Sequence, residues 1–244
     1  MTIATPNVTL IAHTTINREA IGALMDIQGG STDAETLVTF AGRSCYESFH
    51  RPNKATYHDP DYIERTIFEQ QHGSIMEHAS ATLYFTGVSR AFLTELTRHR
   101  HLSFSVVSQR FVNESDASVV IPPAVRNLEK KHAKGASMFD LVTNVDLAED
   151  AISDAVEAAK DAYGILVSVL EDSGLTRKQA REAARGVLPN MVETKMVVTG
   201  NLRAWHQVIE RRTAPDADAE MIEVMTMANN ILHKVAPTIF KEKK

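Results

Sequence analysis

Apolar side chains recur at helical spacing through most of the chain, and a few short runs are rich in β-branched residues instead. Helices are predicted near residues 18–27, 34–44, 59–71, 89–97, 146–173, 177–185, 201–212 and 216–235. Strands are predicted at residues 8–12, 79–87 and 193–199. The pattern at 146–173 has many alanines at helical spacing. This indicates close packing against another helix, within a subunit or between subunits.

The predicted helix at 201–212 has clearly different apolar and polar sides. Asn201 is a suitable N-cap, because its side-chain oxygen can accept a hydrogen bond from a main-chain N–H of the first turn. The apolar residues predicted to face the core are Trp205, Val208 and Ile209. The same spacing places Arg203 and Gln207 together on another side, at i and i+4. In the next predicted helix, at 216–235, the methionines are predicted to fill the core.

The stretch from Arg98 to Phe111 has the composition of an anion-binding segment, with several arginines and serines close together. Guanidinium groups present a rigid fork of donors that matches phosphate and carboxylate. The segment follows the predicted helix at 89–97, which begins at Ser89 and would place Glu95 and Arg98 on one face. A solvated basic turn at a helix C-terminus would have the same composition, since cations are favourable there. Composition alone supports both interpretations equally.

Composition limits the classes of function. The chain has 244 residues, 43% of them hydrophobic, and a formal net charge of -5. Such an acidic chain is a poor general nucleic-acid binder, so the arginine clusters are interpreted as local sites. No apolar run reaches the length of a membrane span, and neither a membrane nor a nucleic acid is predicted as a partner.

The single cysteine, Cys45, excludes an internal disulfide and a cysteine-rich zinc site. One thiol fits the reducing cytoplasm, which is the predicted location. Cys45 ends the predicted helix at 34–44 and is interpreted as a small buried thiol. His72 and His78 are not accompanied by other potential ligands at a spacing typical of metal sites, so no metal site is predicted.

One motif favours the anion-binding interpretation. Arg98-His99-Arg100 is followed by seven residues and then by Ser108, with Gln109-Arg110-Phe111 directly after it. This pattern resembles the signature of the flavin-dependent thymidylate synthases. The resemblance extends to Asp216 and beyond, so residues 1–244 are predicted to form a single domain of that family.

The resemblance implies a fold and an activity. The fold is α+β, with a central, mostly antiparallel sheet flanked by helices, assembled as a homotetramer with active sites between subunits. The activity is the reductive methylation of dUMP to dTMP. Methylenetetrahydrofolate would donate the one-carbon unit, and FAD reduced by NADPH would supply the hydride.

The resemblance also implies a set of site residues. Those for dUMP are Glu95, Arg98, Ser108, Gln109, Arg110, Arg185 and Arg212. Those for FAD are Ser74, Arg98, His99, Arg100, Asn201, Arg203 and Gln207. Arg212 is the catalytic residue, placed against the pyrimidine ring. Ser108 is expected to bind the nucleotide rather than attack it, because no activating base is apparent for a serine nucleophile.

The chain departs from the family pattern at three positions. Val106 stands where many members have Glu or Gln, Phe111 where Tyr is common, and Asp216 where many have His. Each change affects expected ligand affinity more than reaction type. Two other functions compete with the synthase: another flavin- or nucleotide-binding enzyme on the same frame, and a non-catalytic RNA-binding module built on the Arg-His-Arg-His run. The acidic balance and the missing aromatic platform argue against RNA binding.

Overall fold

The computed structural model describes residues 2–128 and 143–243. Its strands are β1 (Asn7–His13), β2 (Ser80–Ser89), β3 (Ser103–Val106) and β4 (Glu193–Asn201). Its helices are α1 (Arg18–Gly22), α2 (Asp33–Ser44), α3 (Asp59–Ile63), α4 (Arg90–Leu96), α5 (Pro123–Arg126), α6 (Asn144–Asp172), α7 (Arg177–Ala184), α8 (Leu202–Arg212) and α9 (Ala219–His233). A π-helical segment, Glu64–Glu69, continues α3, and short 3-10 turns lie at Lys54–Thr56, Gly73–His78 and Arg185–Val187.

The strands form a four-stranded sheet in the order β1-β2-β4-β3. The hydroxyls of Thr82 and Thr199 are 2.9 Å apart, and the N–H of Gly87 donates to the Glu193 carboxylate at 2.9 Å. The residue numbers therefore rise on β2 as they fall on β4, which makes this pair antiparallel. The α+β class with an antiparallel sheet and flanking helices is confirmed.

The described residues fall into two compact units. The α8 unit comprises Asn7–Phe85, Thr97–Ser105 and residues 196–243. The α6 unit comprises residues 2–6, Thr86–Leu96 and the described part of 106–195. No helix among the described residues is long and apolar enough to span a membrane.

The core of the α8 unit is built around the indole of Trp205, which is fully buried and donates to the carbonyl of Ala81 at 3.0 Å. Val208 and Ile209 are buried on the same side of α8, as their spacing predicts. Met221 and Met225 of α9 are also fully buried, so their prediction as core residues is confirmed.

Two arginines of the α8 unit are buried beside the segment that follows α2. Arg51 has its Nη1 at 2.8 Å from Asp59 Oδ1, with both side chains almost fully buried. The guanidinium of Arg51 also donates to the main-chain carbonyls of Tyr57 and Asp26, at 2.6 and 3.0 Å. Arg43 lies 4.3 Å from the centre of the Tyr62 ring. These cations are structural, because both guanidinium groups are buried and donate to main-chain carbonyls.

The thiol of Cys45 is exposed, so the prediction of a buried thiol is wrong. Helix α2 ends at Ser44, and Cys45 is its C-cap. The chain turns away at this point, since Glu47 adopts a φ of 49°. Cys45 keeps helical backbone angles, and its Sγ points back to the carbonyl of Ala41 at the exposed end of the helix rather than into the core.

The α6 unit has a small core of Val119, Ile121, Val156 and Val192. Helix α6 has 29 residues, of which only Val156 and Tyr163 are buried. Several of its large apolar side chains are more than half exposed, namely Leu147, Ile165 and Val169. Helix α7 packs against α6 and begins with a capping box between Thr176 and Gln179.

Candidate functional site

A polar pocket of about 290 Å³ lies at the start of α8. The side chain of Asn201 accepts a hydrogen bond from the N–H of Ala204 at 2.8 Å and so caps the helix. Arg203 and Gln207 line the pocket together, which confirms that their spacing puts them on one face. The pocket combines a guanidinium with the N-terminus of an eleven-residue helix, where main-chain N–H groups favour anions.

Glu77 also lines this pocket, although the sequence did not predict it as a site residue. Its carboxylate forms an ion pair with the guanidinium of Arg203, and both side chains are nearly half exposed. Glu77 belongs to the 3-10 turn Gly73–His78, which is anchored by buried Ile75 and Met76. Ser74 is exposed on the same turn, two residues from buried Met76. The signal available in the sequence was the segment that begins with His72-Gly73 and ends with Glu77-His78.

The turn from Thr97 to Leu102 runs beside α8. His101 lines the pocket at the start of the helix, and His99 contacts Arg212, the last residue of the helix. In that contact Arg212 Nε donates to His99 Nε2 at 2.8 Å. The Arg-His-Arg segment and α8 are therefore brought together although a hundred residues separate them in sequence.

Gly200 allows this approach. A Cβ at this position would lie 2.5 Å from Cδ2 of Leu102 and 3.3 Å from Nε1 of Trp205. Leu102 is buried in this space and anchors the end of the turn. The absence of a side chain at Gly200 thus lets the turn pack directly against the strand that leads into α8.

One structural expectation for the turn is wrong. Helix α4 ends at Leu96, so Arg98 lies in the turn beyond it and does not share a helical face with Glu95. The burial of Leu102 gives the physical reason, because the chain must leave the helix to bring that side chain to its packing site. Arg98 and Arg100 are both exposed on the turn.

Burial is the main cause that lowers the pKa of His99, and the neighbouring charges of Arg212 and Arg98 lower it further. The imidazole is therefore kept neutral at neutral pH. This suits its contact with Arg212, because a guanidinium can donate a hydrogen bond but cannot accept one.

The remaining predicted nucleotide residues lie in the α6 unit. Ser108 and Gln109 follow β3, and Gln109 is buried, with no partner for its Nε2 in the part of the chain that the structure describes. Arg110 Nε is 2.9 Å from Glu182 Oε2. Arg181 of α7 donates to the carbonyl of Phe111 at 2.6 Å. The structure thus joins the segment after Ser108 to helix α7.

Arg185 and Glu95 are the other two predicted residues of this unit. Arg185 is exposed at the C-terminal cap of α7, close enough to Arg90 that its charge lowers the pKa of that guanidinium, after the larger effect of burial. Glu95 is partly buried near the end of α4. Across residues 2–128 and 143–243, no cluster of at least three His, Cys, Asp or Glu side chains is arranged to hold a metal ion.

Comparison with known proteins identifies the family. The family model described as "Thymidylate synthase complementing protein" matches residues 28–238. A probable flavin-dependent thymidylate synthase of Mycobacterium phage L5 is 48% identical over 213 residues, which are 87% of this chain and 82% of that protein. The flavin-dependent thymidylate synthase of Corynebacterium diphtheriae is 38% identical over 243 residues, which are 97% of this chain and 89% of that protein.

The chain belongs to the flavin-dependent thymidylate synthase family. The resemblance carried by the Arg-His-Arg motif is confirmed. Solved structures show the same fold at lower identity. Thymidylate synthase X of Helicobacter pylori, crystallised with FAD and dUMP, aligns with a TM-score of 0.63 at 17% identity, covering 98% of this chain and all of that one. The UMP/dUMP methylase PolB of Streptomyces cacaoi, bound with 5-Br dUMP, aligns with a TM-score of 0.69 at 22% identity, covering 98% and 94%.

The departures from the family pattern occupy different surroundings. Val106 is the partly buried last residue of β3, and Asp216 is exposed between α8 and α9. Phe111 is 65% exposed, and Lys178 Nζ lies 5.4 Å from the centre of its ring. Their effect on ligand affinity stays a prediction.

Proposed function

We propose that this chain catalyses the reductive methylation of dUMP to dTMP, with methylenetetrahydrofolate as the one-carbon donor and NADPH-reduced FAD as the hydride source. Family membership at 38–48% identity supports the reaction. The observation that carries the proposal is the turn Thr97–Leu102, which contacts α8 at both ends. This arrangement supports the proposal because it brings the Arg-His-Arg turn next to the helix that carries Arg203 and Arg212.

The proposed FAD-binding residues are Ser74, Arg98, His99, Arg100, Asn201, Arg203 and Gln207. Support comes from the donors that line the pocket at the start of α8, where a guanidinium, two side-chain amides and a helix N-terminus suit a pyrophosphate. Arg203 would exchange its partner Glu77 for a phosphate oxygen. When bound, FAD supplies the hydride chemistry, while the protein supplies position and charge.

The proposed dUMP-binding residues are Glu95, Arg98, Ser108, Gln109, Arg110, Arg185 and Arg212. Arg212 has the catalytic role, because a fixed cation can stabilise negative charge that develops on the uracil ring. Its Nε is already held by His99, which restricts the plane of the guanidinium. The buried Nε2 of Gln109 offers a donor that has no hydrogen-bond partner among the described residues. The H. pylori structure with FAD and dUMP supports this choice of ligands.

We further propose a homotetramer in the cytoplasm, in which the whole chain acts as one domain. The exposed apolar side chains Leu147, Ile165 and Val169 of α6 favour burial between subunits. The family match over 28–238 draws on both compact units and supports a single functional domain. Light scattering should give four times the protomer mass of 27.0 kDa, and a monomeric result would contradict the assembly.

Two measurements on the purified chain test the function. An anaerobic absorbance spectrum should show bound flavin that bleaches when NADPH is added. Release of tritium from C5 of labelled dUMP should then require methylenetetrahydrofolate. Labelled UMP is assayed in parallel as an alternative nucleotide. Flavin bleaching without tritium release would indicate another flavin enzyme. A colourless protein with steeply salt-dependent RNA binding would overturn the proposal altogether.

A further inference from the structure

The hydrogen bond between Arg212 and His99 determines which ring nitrogen of His99 carries the proton. Arg212 Nε is 2.8 Å from His99 Nε2. A guanidinium has donors only and keeps its proton under all ordinary conditions. Nε2 of His99 must therefore offer a lone pair, which places the proton of the neutral ring on Nδ1.

The surroundings of His99 oppose a second proton on the ring. The charged groups that act on it are Arg212, from α8, and Arg98, from its own turn, and both are cations. The ring is also partly buried, which disfavours a charge. Protonation would remove the acceptor of the hydrogen bond and place an imidazolium against two guanidinium groups. The contact with Arg212 thus exists only with the neutral ring.

We propose that His99 is a positioning residue for Arg212: its neutral imidazole holds the Nε edge of the guanidinium, fixes the plane of that group, and releases it when protonated. This inference rests on the proposed function, in which Arg212 acts on the pyrimidine. It adds a role to His99 beyond contact with the flavin. The site is consequently sensitive to acid through a residue that need not touch the reacting atoms.

The pH dependence has a definite sign. His99 is neutral above its lowered pKa, so the Arg212 contact is intact at neutral and alkaline pH. As the pH falls through that pKa, the ring is protonated and the contact is lost. The turnover number for tritium release should therefore fall on the acidic side, while above neutrality His99 stays neutral and its titration no longer changes turnover.

Variants of His99 separate positioning from mere structure. His99→Gln keeps an acceptor that does not titrate, so we expect a turnover number within about 5-fold of the unmodified enzyme at neutral pH and a flattened acidic limb. His99→Ala removes the acceptor and should lower turnover by about 10- to 100-fold at neutral and alkaline pH, which is the usual effect of losing a hydrogen bond to a charged group. The difference should shrink at acidic pH, where the unmodified enzyme has itself lost the contact. His13→Gln, on the exposed end of β1, is the matched control and should keep the original profile.

A double-mutant cycle and a spectroscopic measurement complete the test. Arg212→Ala with His99→Ala should be no slower than Arg212→Ala alone, because the two side chains act through one contact. Nitrogen NMR of histidine-labelled protein without ligands should show Nδ1 protonated in His99, a state lost in Arg212→Ala. Flavin content is measured in each sample, so cofactor loss is not mistaken for misplacement of Arg212.

The outcomes distinguish this inference from the proposed function. An unchanged acidic limb in His99→Gln, additive effects in the cycle, or a proton on Nε2 would overturn the role of His99. Absence of tritium release from the unmodified enzyme would instead overturn the function, and the NMR result would still decide whether the His99–Arg212 contact exists.

Discussion

Two groups of arginines in the α8 unit differ in what holds them. Arg43 and Arg51 are 2% and 5% exposed, and their guanidinium groups donate to main-chain carbonyls. Arg203 and Arg212 are only partly buried, and each contacts a side chain, Glu77 or His99, beside the pocket and turn. The first group is held by main-chain carbonyls, while the second is contacted by side chains of other segments.

The difference teaches how to recognise a functional cation in this fold. A buried guanidinium that bonds to carbonyls cannot change partners without unfolding its surroundings, because each donor would then be left unsatisfied. A partly exposed guanidinium in an ion pair, such as Arg203 with Glu77, can exchange that partner for a ligand at small cost. The sequence does not distinguish the two groups, because every member is an arginine near polar residues.

The largest expected effect is on stability, from Arg51→Ala. The change leaves the buried Asp59 carboxylate without its counter-charge, and such losses destabilise by about 3–5 kcal/mol. Thermal unfolding monitored by circular dichroism should show a markedly lower Tm. Arg18→Ala is the matched control, since the Arg18–Asp33 pair has a 59% exposed arginine and should matter by less than about 1 kcal/mol. Equal shifts in the two variants would remove the distinction between the two groups of arginines.

The second effect is on catalysis, from Arg212→Ala. Turnover should fall by at least about 100-fold, because a fixed donor at developing negative charge is removed. The Tm should stay close to that of the unmodified protein. Arg211→Ala changes the exposed neighbouring arginine and should leave tritium release intact. A large loss of Tm in Arg212→Ala would instead group Arg212 with the buried arginines.

A third, intermediate effect concerns flavin retention. Arg203→Ala should weaken FAD binding by about 10-fold or more, as for the loss of a charge-assisted hydrogen bond. Glu77→Gln should retain FAD at least as well, because it removes a carboxylate that competes for Arg203. Equilibrium titration of the apoprotein with FAD measures both. Equal weakening in the two variants would show that the Glu77–Arg203 pair itself is required.

The smallest effect is expected from Cys45→Ala. The thiol is exposed, and its Sγ donates only a weak hydrogen bond to the carbonyl of Ala41 at 3.5 Å. Tritium release and Tm should both remain unchanged within error. Complete loss of activity in a folded variant would mean that the thiol takes part in the chemistry.

Local features were predictable from sequence, and long-range ones were not. Helix caps such as Asn201 and Thr176 depend on neighbouring main-chain groups, so a short segment contains the information. The end of α4 at Leu96 depends on where Leu102 packs, and the exposure of Cys45 depends on the turn after Ser44. The contact between His99 and Arg212 joins residues 113 positions apart, and no periodicity in either segment announces it.

Gly200 implies that redesign of the pocket at the start of α8 must also preserve the packing of Leu102. Gly200 has no side chain of its own, yet an added methyl group would lie 2.5 Å from Cδ2 of Leu102, so this buried side chain at the end of the Arg-His-Arg turn would have to shift. A substitution scan that ranks positions by distance from the ligands would class it as expendable. The packing of the Arg-His-Arg turn depends instead on the absence of a side chain at Gly200.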